Sequence, residues 1–145
     1  MLDATQNITM RFESEVDLTR ENKAITKFVS LFNGSFKKLG PNDIDYRVFN
    51  DKGELIAYVE VKGRLRPIKE AYPLPVAARK IVKLCDKRLN PVMIWTCEDG
   101  IIYAKVSEIQ GEVRWGGRKP RANSVNDEEL MIYYNQQKGF KYVRF

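Results

Sequence analysis

The chain has 145 residues, with 25 Lys and Arg against 19 Asp and Glu, no histidine and two cysteines. This length predicts one compact domain, residues 1–145, because a domain typically has roughly 100–200 residues. The lack of histidine excludes imidazole-activated serine or cysteine nucleophiles and histidine-ligated zinc. Cys85 and Cys97 are too few for a disulfide framework and are interpreted as core residues. Any catalysis therefore depends on carboxylates, lysines or a metal ion held by oxygen ligands.

The amino-terminal region has no secretory signal, and no apolar run approaches the ~20 residues of a membrane span. We therefore expect a soluble, cytoplasmic protein without membrane contact. The net charge of +6 suggests a polyanionic partner such as nucleic acid.

The first strong pattern is a helix that begins near Asp17 and ends at Asn33-Gly34. Its apolar residues recur with the period of one helix face. They are Leu18, Ile25, Phe28, Val29 and Phe32. A hairpin follows, with strands at 44–49 and 55–59 around a turn at 50–53, and the second strand ends in the Glu-Val-Lys-Gly sequence at 60–63.

A basic connector at 64–67 leads to a second helix at about 76–88, with Ala77, Ile81, Leu84 and Cys85 on its buried face. Strands are predicted at 92–97 and 101–106. This order, with a helix between the second and third strands, predicts an α/β fold with a central mixed β-sheet flanked by helices. Residues 115–124 are expected to form an exposed, mobile loop, and 130–134 and 140–145 short strands.

Two charged residues occupy positions where the pattern requires apolar ones. Glu21 lies along the buried stripe of the first helix, and Lys80 lies along that of the second. Burying a charge costs several kcal/mol unless it is paired or metal-bound. The alternative is that each side chain lies at the margin of its stripe and extends to water.

Strand alternation places Glu60 and Lys62 on one face at the end of the most apolar strand. If Phe49 stands opposite Glu54, Asp43 stands opposite Glu60, and Asp45 shares the same face. A bulge at the turn would move the acids to the other face. The alternative is an ordinary surface salt bridge between Glu60 and Lys62.

Carboxylates that converge beside a lysine form an oxygen-rich site suited to Mg²⁺ or Mn²⁺. Such a site supports phosphodiester hydrolysis. The metal neutralises phosphate charge and lowers the pKa of a bound water, while an ammonium group stabilises the developing charge.

Glu21, Asp45 and the run Tyr-Val-Glu-Val-Lys-Gly-Arg at 58–64 resemble the active-site signature of the PD-(D/E)XK nuclease superfamily. The resemblance covers residues 17–106 and implies a restriction-endonuclease-like αβββαβ core, with 107–145 as a carboxy-terminal loop and short strands. It implies that Asp45, Glu60, the Val61 carbonyl and Glu21 bind the metal and that Lys62 is catalytic. Because this chain has acids at both 43 and 45, Asp43 is an alternative ligand.

The resemblance implies a Mg²⁺-dependent nuclease acting on DNA. The basic residues expected to contact phosphates follow the motif, form a ridge on the second helix or belong to the carboxy-terminal loop. They are Arg64, Arg66, Lys69, Arg79, Lys80, Lys83, Lys87, Arg118, Lys119 and Arg121. The alternative is a non-catalytic nucleic-acid-binding module in which Tyr72, Trp115 and Tyr134 stack on bases. Only the nuclease requires a metal to act.

Overall fold

The computed structural model describes the backbone of residues 4–41, 44–118 and 127–145, and the side chains of 15–41, 44–116 and 128–145. Within these ranges the chain forms two α-helices and nine strands. The helices are α1 (Ala4–Ser30) and α2 (Ala78–Asp86). The strands are β1 (Ser35–Lys38), β2 (Tyr46–Phe49), β3 (Leu55–Gly63), β4 (Leu74–Ala77), β5 (Pro91–Thr96), β6 (Gly100–Lys105), β7 (Glu112–Arg118), β8 (Asp127–Tyr134) and β9 (Lys141–Arg144).

The larger sheet has six strands in the order β1-β2-β3-β5-β6-β9. β3 and β5 pair in parallel, whereas the other neighbours are antiparallel. A parallel pair needs a long crossover connection, and the segment that contains β4 and α2 supplies it. The predicted mixed sheet is therefore confirmed, including the helix between its second and third predicted strands.

Both faces of this sheet are covered, which explains why β3 and β5 are apolar on both sides. On one face, Phe28 of α1 packs against Val59 and Ile94 in a single buried cluster. On the other face, Leu84 of α2 packs in a second cluster that contains Met93 and the fully buried Trp95. The two clusters fix both helices against the end of β3.

The second sheet, of order β4-β8-β7, was not predicted from the sequence. The last two residues of its first strand, Val76 and Ala77, were assigned to the second helix, so α2 begins at Ala78 rather than near residue 76. β4 contains Pro75, which an edge strand tolerates because only one of its sides needs hydrogen bonds. The indole N–H of Trp95 donates to the Pro75 carbonyl at 2.8 Å and joins the two sheets.

The carboxy-terminal segment contributes to both sheets, and the short strands predicted at 130–134 and 140–145 are confirmed as parts of β8 and β9. The loop prediction was wrong for 115–118, which pair with 127–130 in the β7–β8 hairpin. The remainder of that predicted loop, 119–124, lies outside the described residues. Trp115 is 72% exposed on this hairpin, beside the exposed Leu130.

Two details of the helix predictions were wrong. α1 begins at Ala4, not near Asp17. Among the side chains of α1 that the structure describes, 15–20 are exposed and the buried ones begin after residue 20, so Leu18 does not join the core. Cys85 is exposed because the buried stripe of α2 is confined to Ile81 and Leu84, whereas Cys97 is buried as expected. Among the described helices, none has the length and apolar character needed to cross a membrane.

Candidate active site

The carboxylate of Glu60 is buried at the end of β3. The residue is 3% exposed, and among the described atoms neither carboxylate oxygen has a hydrogen-bond partner. The nearest cation is the ammonium of Lys80 on α2, whose Nζ lies 3.5 Å from Oε1. Burial, together with the negative charge of Asp45, raises the pKa of Glu60 to about 8, against the attraction of Lys80. Of the two interpretations of Lys80, a paired charge or a side chain that extends to water, the contact with Glu60 favours the paired charge.

Asp45 lies just before β2, and its Oδ2 accepts a hydrogen bond from the backbone N–H of Val61 at 2.8 Å. The predicted register was wrong, since Tyr46 pairs with Val59 and a bulge lies between Val48 and Phe49. Continuing this register places Asp45 opposite Glu60. Asp43 lies outside the described residues.

The error in the predicted register did not change the face of the sheet on which Asp45 was predicted to lie. Phe49 pairs with Leu55, one residue beyond the predicted partner, and the bulge adds a second one-residue shift. Side chains alternate with a period of two, so a total shift of two residues returns the acid to the same face. The convergence of Asp45 and Glu60 was therefore predicted correctly from an incorrect register.

Glu21 approaches the same end of the sheet from α1. Its Oε1 accepts hydrogen bonds from the ammonium of Lys38 at 3.3 Å and from the Tyr46 hydroxyl at 3.5 Å. Burial and the charge of Asp45 raise the pKa of Glu21, and the Lys38 charge opposes this rise. Glu21 is half-buried and paired, as its place on the helix stripe predicted.

Lys38 was missed by the sequence analysis. It ends β1, a strand of four residues that is mostly exposed and shows too little alternation to be recognised. Its Nζ also lies 4.0 Å from Oδ1 of Asp45, so one lysine contacts two of the three acids. No local sequence signal could have found it, because its position depends on the pairing of Lys38 with Tyr46, next to Asp45.

Glu21, Asp45 and Glu60 line one cleft of about 310 Å³ between the end of β3, α2 and β8. Its charged lining residues are Glu21, Asp45, Glu60, Lys62, Arg79, Lys80 and Glu129. Among the described side chains, no three acidic or cysteine groups stand close enough to form a complete metal cage. The donor set nevertheless fits Mg²⁺ or Mn²⁺ in kind, because the two Glu60 oxygens are buried without hydrogen bonds.

Three of the predicted phosphate contacts are engaged within the protein. Arg64 donates to the carbonyls of Ala71 at 2.8 Å and Pro73 at 3.2 Å. Arg79 forms a 2.9 Å ion pair with Glu129, and Lys80 contacts Glu60. These contacts hold the connector and α2 in place, so the three side chains have structural partners in the absence of nucleic acid.

The other basic residues differ in exposure and in how much of each the structure describes. Arg66, Lys69 and Lys83 are exposed. Lys87 lies over the Tyr58 ring. Arg118 is described only in its backbone, and Lys119 and Arg121 lie outside the described residues. The expectation that Tyr134 is an exposed stacking residue was wrong, because it is 3% exposed within the core.

A family model described as "Phage putative PDDEXK endonuclease" matches residues 7–143. The chain belongs to this family. The match confirms the resemblance to PD-(D/E)XK nucleases, and the mixed sheet with its helices is consistent with their restriction-endonuclease-like fold. The family identifies the protein as a nuclease, an enzyme that hydrolyses nucleic acid. No curated protein and no solved structure matches the chain significantly.

Proposed function

We propose that the protein is a divalent-metal-dependent deoxyribonuclease whose active site consists of Glu21, Asp45, Glu60 and Lys62. The observation that carries the proposal is the environment of Glu60. A buried carboxylate without hydrogen bonds, beside a second acid, is destabilising unless a cation compensates it. Lys80 lies 3.5 Å away and compensates only in part, since the pKa of Glu60 stays raised.

In this proposal Mg²⁺ or Mn²⁺ would be held by the carboxylates of Asp45 and Glu60 and by the carbonyl of Val61. The carboxylate of Glu21 would move toward the ion to complete the ligand set, because the three acids do not form a complete cage without that movement. When bound, the ion supplies charge neutralisation for a phosphate and lowers the pKa of a water molecule. The hydrogen bond from Val61 N–H orients the Asp45 carboxylate toward the end of β3.

Lys62 is the proposed catalytic lysine. It is exposed, follows Glu60 by two residues on the same face, and lines the same cleft. An ammonium group at this position orients the attacking water and stabilises the negative charge that develops on the phosphorus oxygens.

The net charge of +6 supports binding to a nucleic acid backbone. We assign the first contacts with phosphate to the exposed Arg66 and Lys69, with Lys83 on α2 and Arg118, Lys119 and Arg121 as a second group. Arg64, Arg79 and Lys80 would contribute only by exchanging their present partners. We also propose that residues 1–145 act as one unit, because the carboxy-terminal strands belong to both sheets: β8 pairs with β4, and β9 pairs with β6.

The proposal is tested by incubating purified protein with linear duplex DNA, circular single-stranded DNA, branched DNA and RNA. Each substrate is combined with Mg²⁺, Mn²⁺ or EDTA. Cleavage of DNA with a divalent metal and none in EDTA is the expected result. Binding that is equal in EDTA and leaves every substrate intact would instead favour the non-catalytic module, and cleavage of RNA alone would correct the substrate.

A further inference from the structure

Lys38 occupies an unusual position for a residue on an edge strand. Its ammonium lies 3.3 Å from Oε1 of Glu21, 4.0 Å from Oδ1 of Asp45 and 4.7 Å from the centre of the Tyr46 ring. The three contacts come from a helix, a loop residue and a strand. A single ammonium group thus connects two of the proposed active-site acids, which belong to separate elements of the fold.

The backbone fixes this position. Lys38 pairs with Tyr46, and the N–H of Leu39 donates to the Asp45 carbonyl at 2.9 Å, which carries the β1–β2 pairing up to the acid. The neighbouring Lys37 pairs with Arg47 and points to the opposite face of the sheet. The strand therefore directs one of two consecutive lysines at the acids and the other away from them.

The charges have opposite effects before and after a metal binds. Without a metal, the lysine reduces the repulsion between the Glu21 and Asp45 carboxylates and holds them together. A divalent cation on the same carboxylates would be repelled by the lysine at a distance of a few ångström. The lysine and the metal thus compete for the same oxygens.

We propose that Lys38 is a positioning residue that holds the acids together when no metal is bound and sets the metal affinity of the site by competing with the ion. This inference rests on the proposed metal site. It predicts that removal of the Lys38 charge strengthens metal binding, whereas damage to the site would weaken it.

Mn²⁺ binding is measured by titration calorimetry on metal-stripped protein without DNA, for wild type, Lys38→Met, Lys38→Gln and Lys38→Arg. Lys37→Met is the matched control, because it removes the same charge from the same strand on the other face. We expect Lys38→Met and Lys38→Gln to bind Mn²⁺ roughly tenfold more tightly, from the removal of one nearby positive charge. Lys38→Arg and Lys37→Met should match wild type.

Thermal melting provides a second readout. In EDTA, Lys38→Met should melt below wild type and Lys37→Met, and saturating Mn²⁺ should raise its melting temperature by more than that of wild type. If wild type binds Mn²⁺ and the two uncharged variants bind it equally or more weakly, Lys38 does not compete with the metal. If wild type itself binds no Mn²⁺ or Mg²⁺, the proposed metal site fails, and the inference fails with it.

Discussion

Oδ2 of Asp45 accepts a hydrogen bond from the backbone N–H of Val61 at 2.8 Å, across 16 residues of sequence. Asp45 stands before β2, and Val61 stands near the end of β3. The bond therefore closes the open end of the hairpin and aligns the Asp45 carboxylate with the buried Glu60. An acid held in this way has a fixed orientation before any ligand arrives.

Asp45→Asn tests whether the negative charge of Asp45 is needed for metal-dependent DNA cleavage. The asparagine side-chain oxygen can still accept the Val61 hydrogen bond, so the fold should persist while the negative charge is removed. We expect metal-dependent DNA cleavage to fall by ~10²-fold or more, because a ligand charge is missing. Asp43→Asn should only weaken cleavage, measured as initial rates. The reverse ranking would assign the ligand to Asp43.

Lys62→Ala and Glu60→Ala should each lower the cleavage rate by ~10²-fold or more, since one removes the charge stabiliser and the other a metal ligand. Lys52→Ala is the control, because it removes an exposed lysine at the turn between β2 and β3, at the other end of the strands. Circular dichroism should show folded protein in all three cases. Wild-type rates in either active-site variant would remove the catalytic assignment.

Glu60 should make the metal-free protein less stable as pH rises. Burial, together with the charge of Asp45, raises the pKa of Glu60 from its ordinary value near 4.5 to about 8. Between these values the unfolded state releases the proton first, so the free energy of unfolding falls, and above pH 8 this decrease is complete. Glu60→Gln lacks this effect.

The measurement is thermal melting in EDTA from pH 4 to pH 9. Near pH 4 the two proteins should melt together. At pH 8.5 Glu60→Gln should melt at least ~3 °C above wild type, the shift expected for about 1 kcal/mol in a chain of this size. A constant difference across this range would contradict the raised pKa.

Substitutions at Arg64 and Arg66 should separate effects on the stability of the fold from effects on DNA binding. Arg64→Ala leaves two backbone carbonyls without their donor and should lower the free energy of unfolding by about 1–2 kcal/mol. Arg66→Ala alters an exposed side chain and should stay within about 0.5 kcal/mol of wild type. In EDTA, Arg66→Ala should nevertheless bind DNA more weakly. Equal destabilisation by both changes would show that the Arg64 hydrogen bonds contribute nothing to folding.

The basic group at Arg118, Lys119 and Arg121 is tested by replacing all three with Ala. For each phosphate that the variant no longer neutralises, the salt dependence of DNA binding should decrease by roughly 0.7–0.9 units of log K per log salt. The affinity of the site for Mn²⁺ should not change. An unchanged salt slope would place phosphate binding on Arg66, Lys69 and Lys83 instead.

The sequence predicted the face of the active site better than it predicted the hairpin. Alternation determines the side of the strand on which a residue lies. Two shifts of one residue add up to a full period of two, so the side does not change. The pairing partners themselves depend on the bulge between Val48 and Phe49, which no turn residue signals. The shared face of Asp45 and Glu60 was therefore predicted, whereas the residues that pair across the two strands were not.

Lys38 and the second sheet could not be predicted for a different reason. β1 and β4 are four-residue strands at sheet edges, where pairing with a neighbour, and not local pattern, determines the structure. The Pro73-Leu74-Pro75 run is typical of a connector, and only its partner β8 reveals it as a strand. Both strands become recognisable once long-range pairing is known.

The two tryptophans of the chain stand in opposite environments, since Trp95 is fully buried between the sheets and Trp115 is 72% exposed on the hairpin. Their indole emission should therefore divide into a population that acrylamide quenches and one that it does not reach. A change in the quenching of Trp115 therefore reports the binding of a ligand to β7. New quenching of Trp95 reports separation of β4 from β5, because the indole N–H of Trp95 in β5 donates a hydrogen bond to the Pro75 carbonyl in β4. The molecule thus contains separate optical probes of surface binding and core unfolding, without an added label.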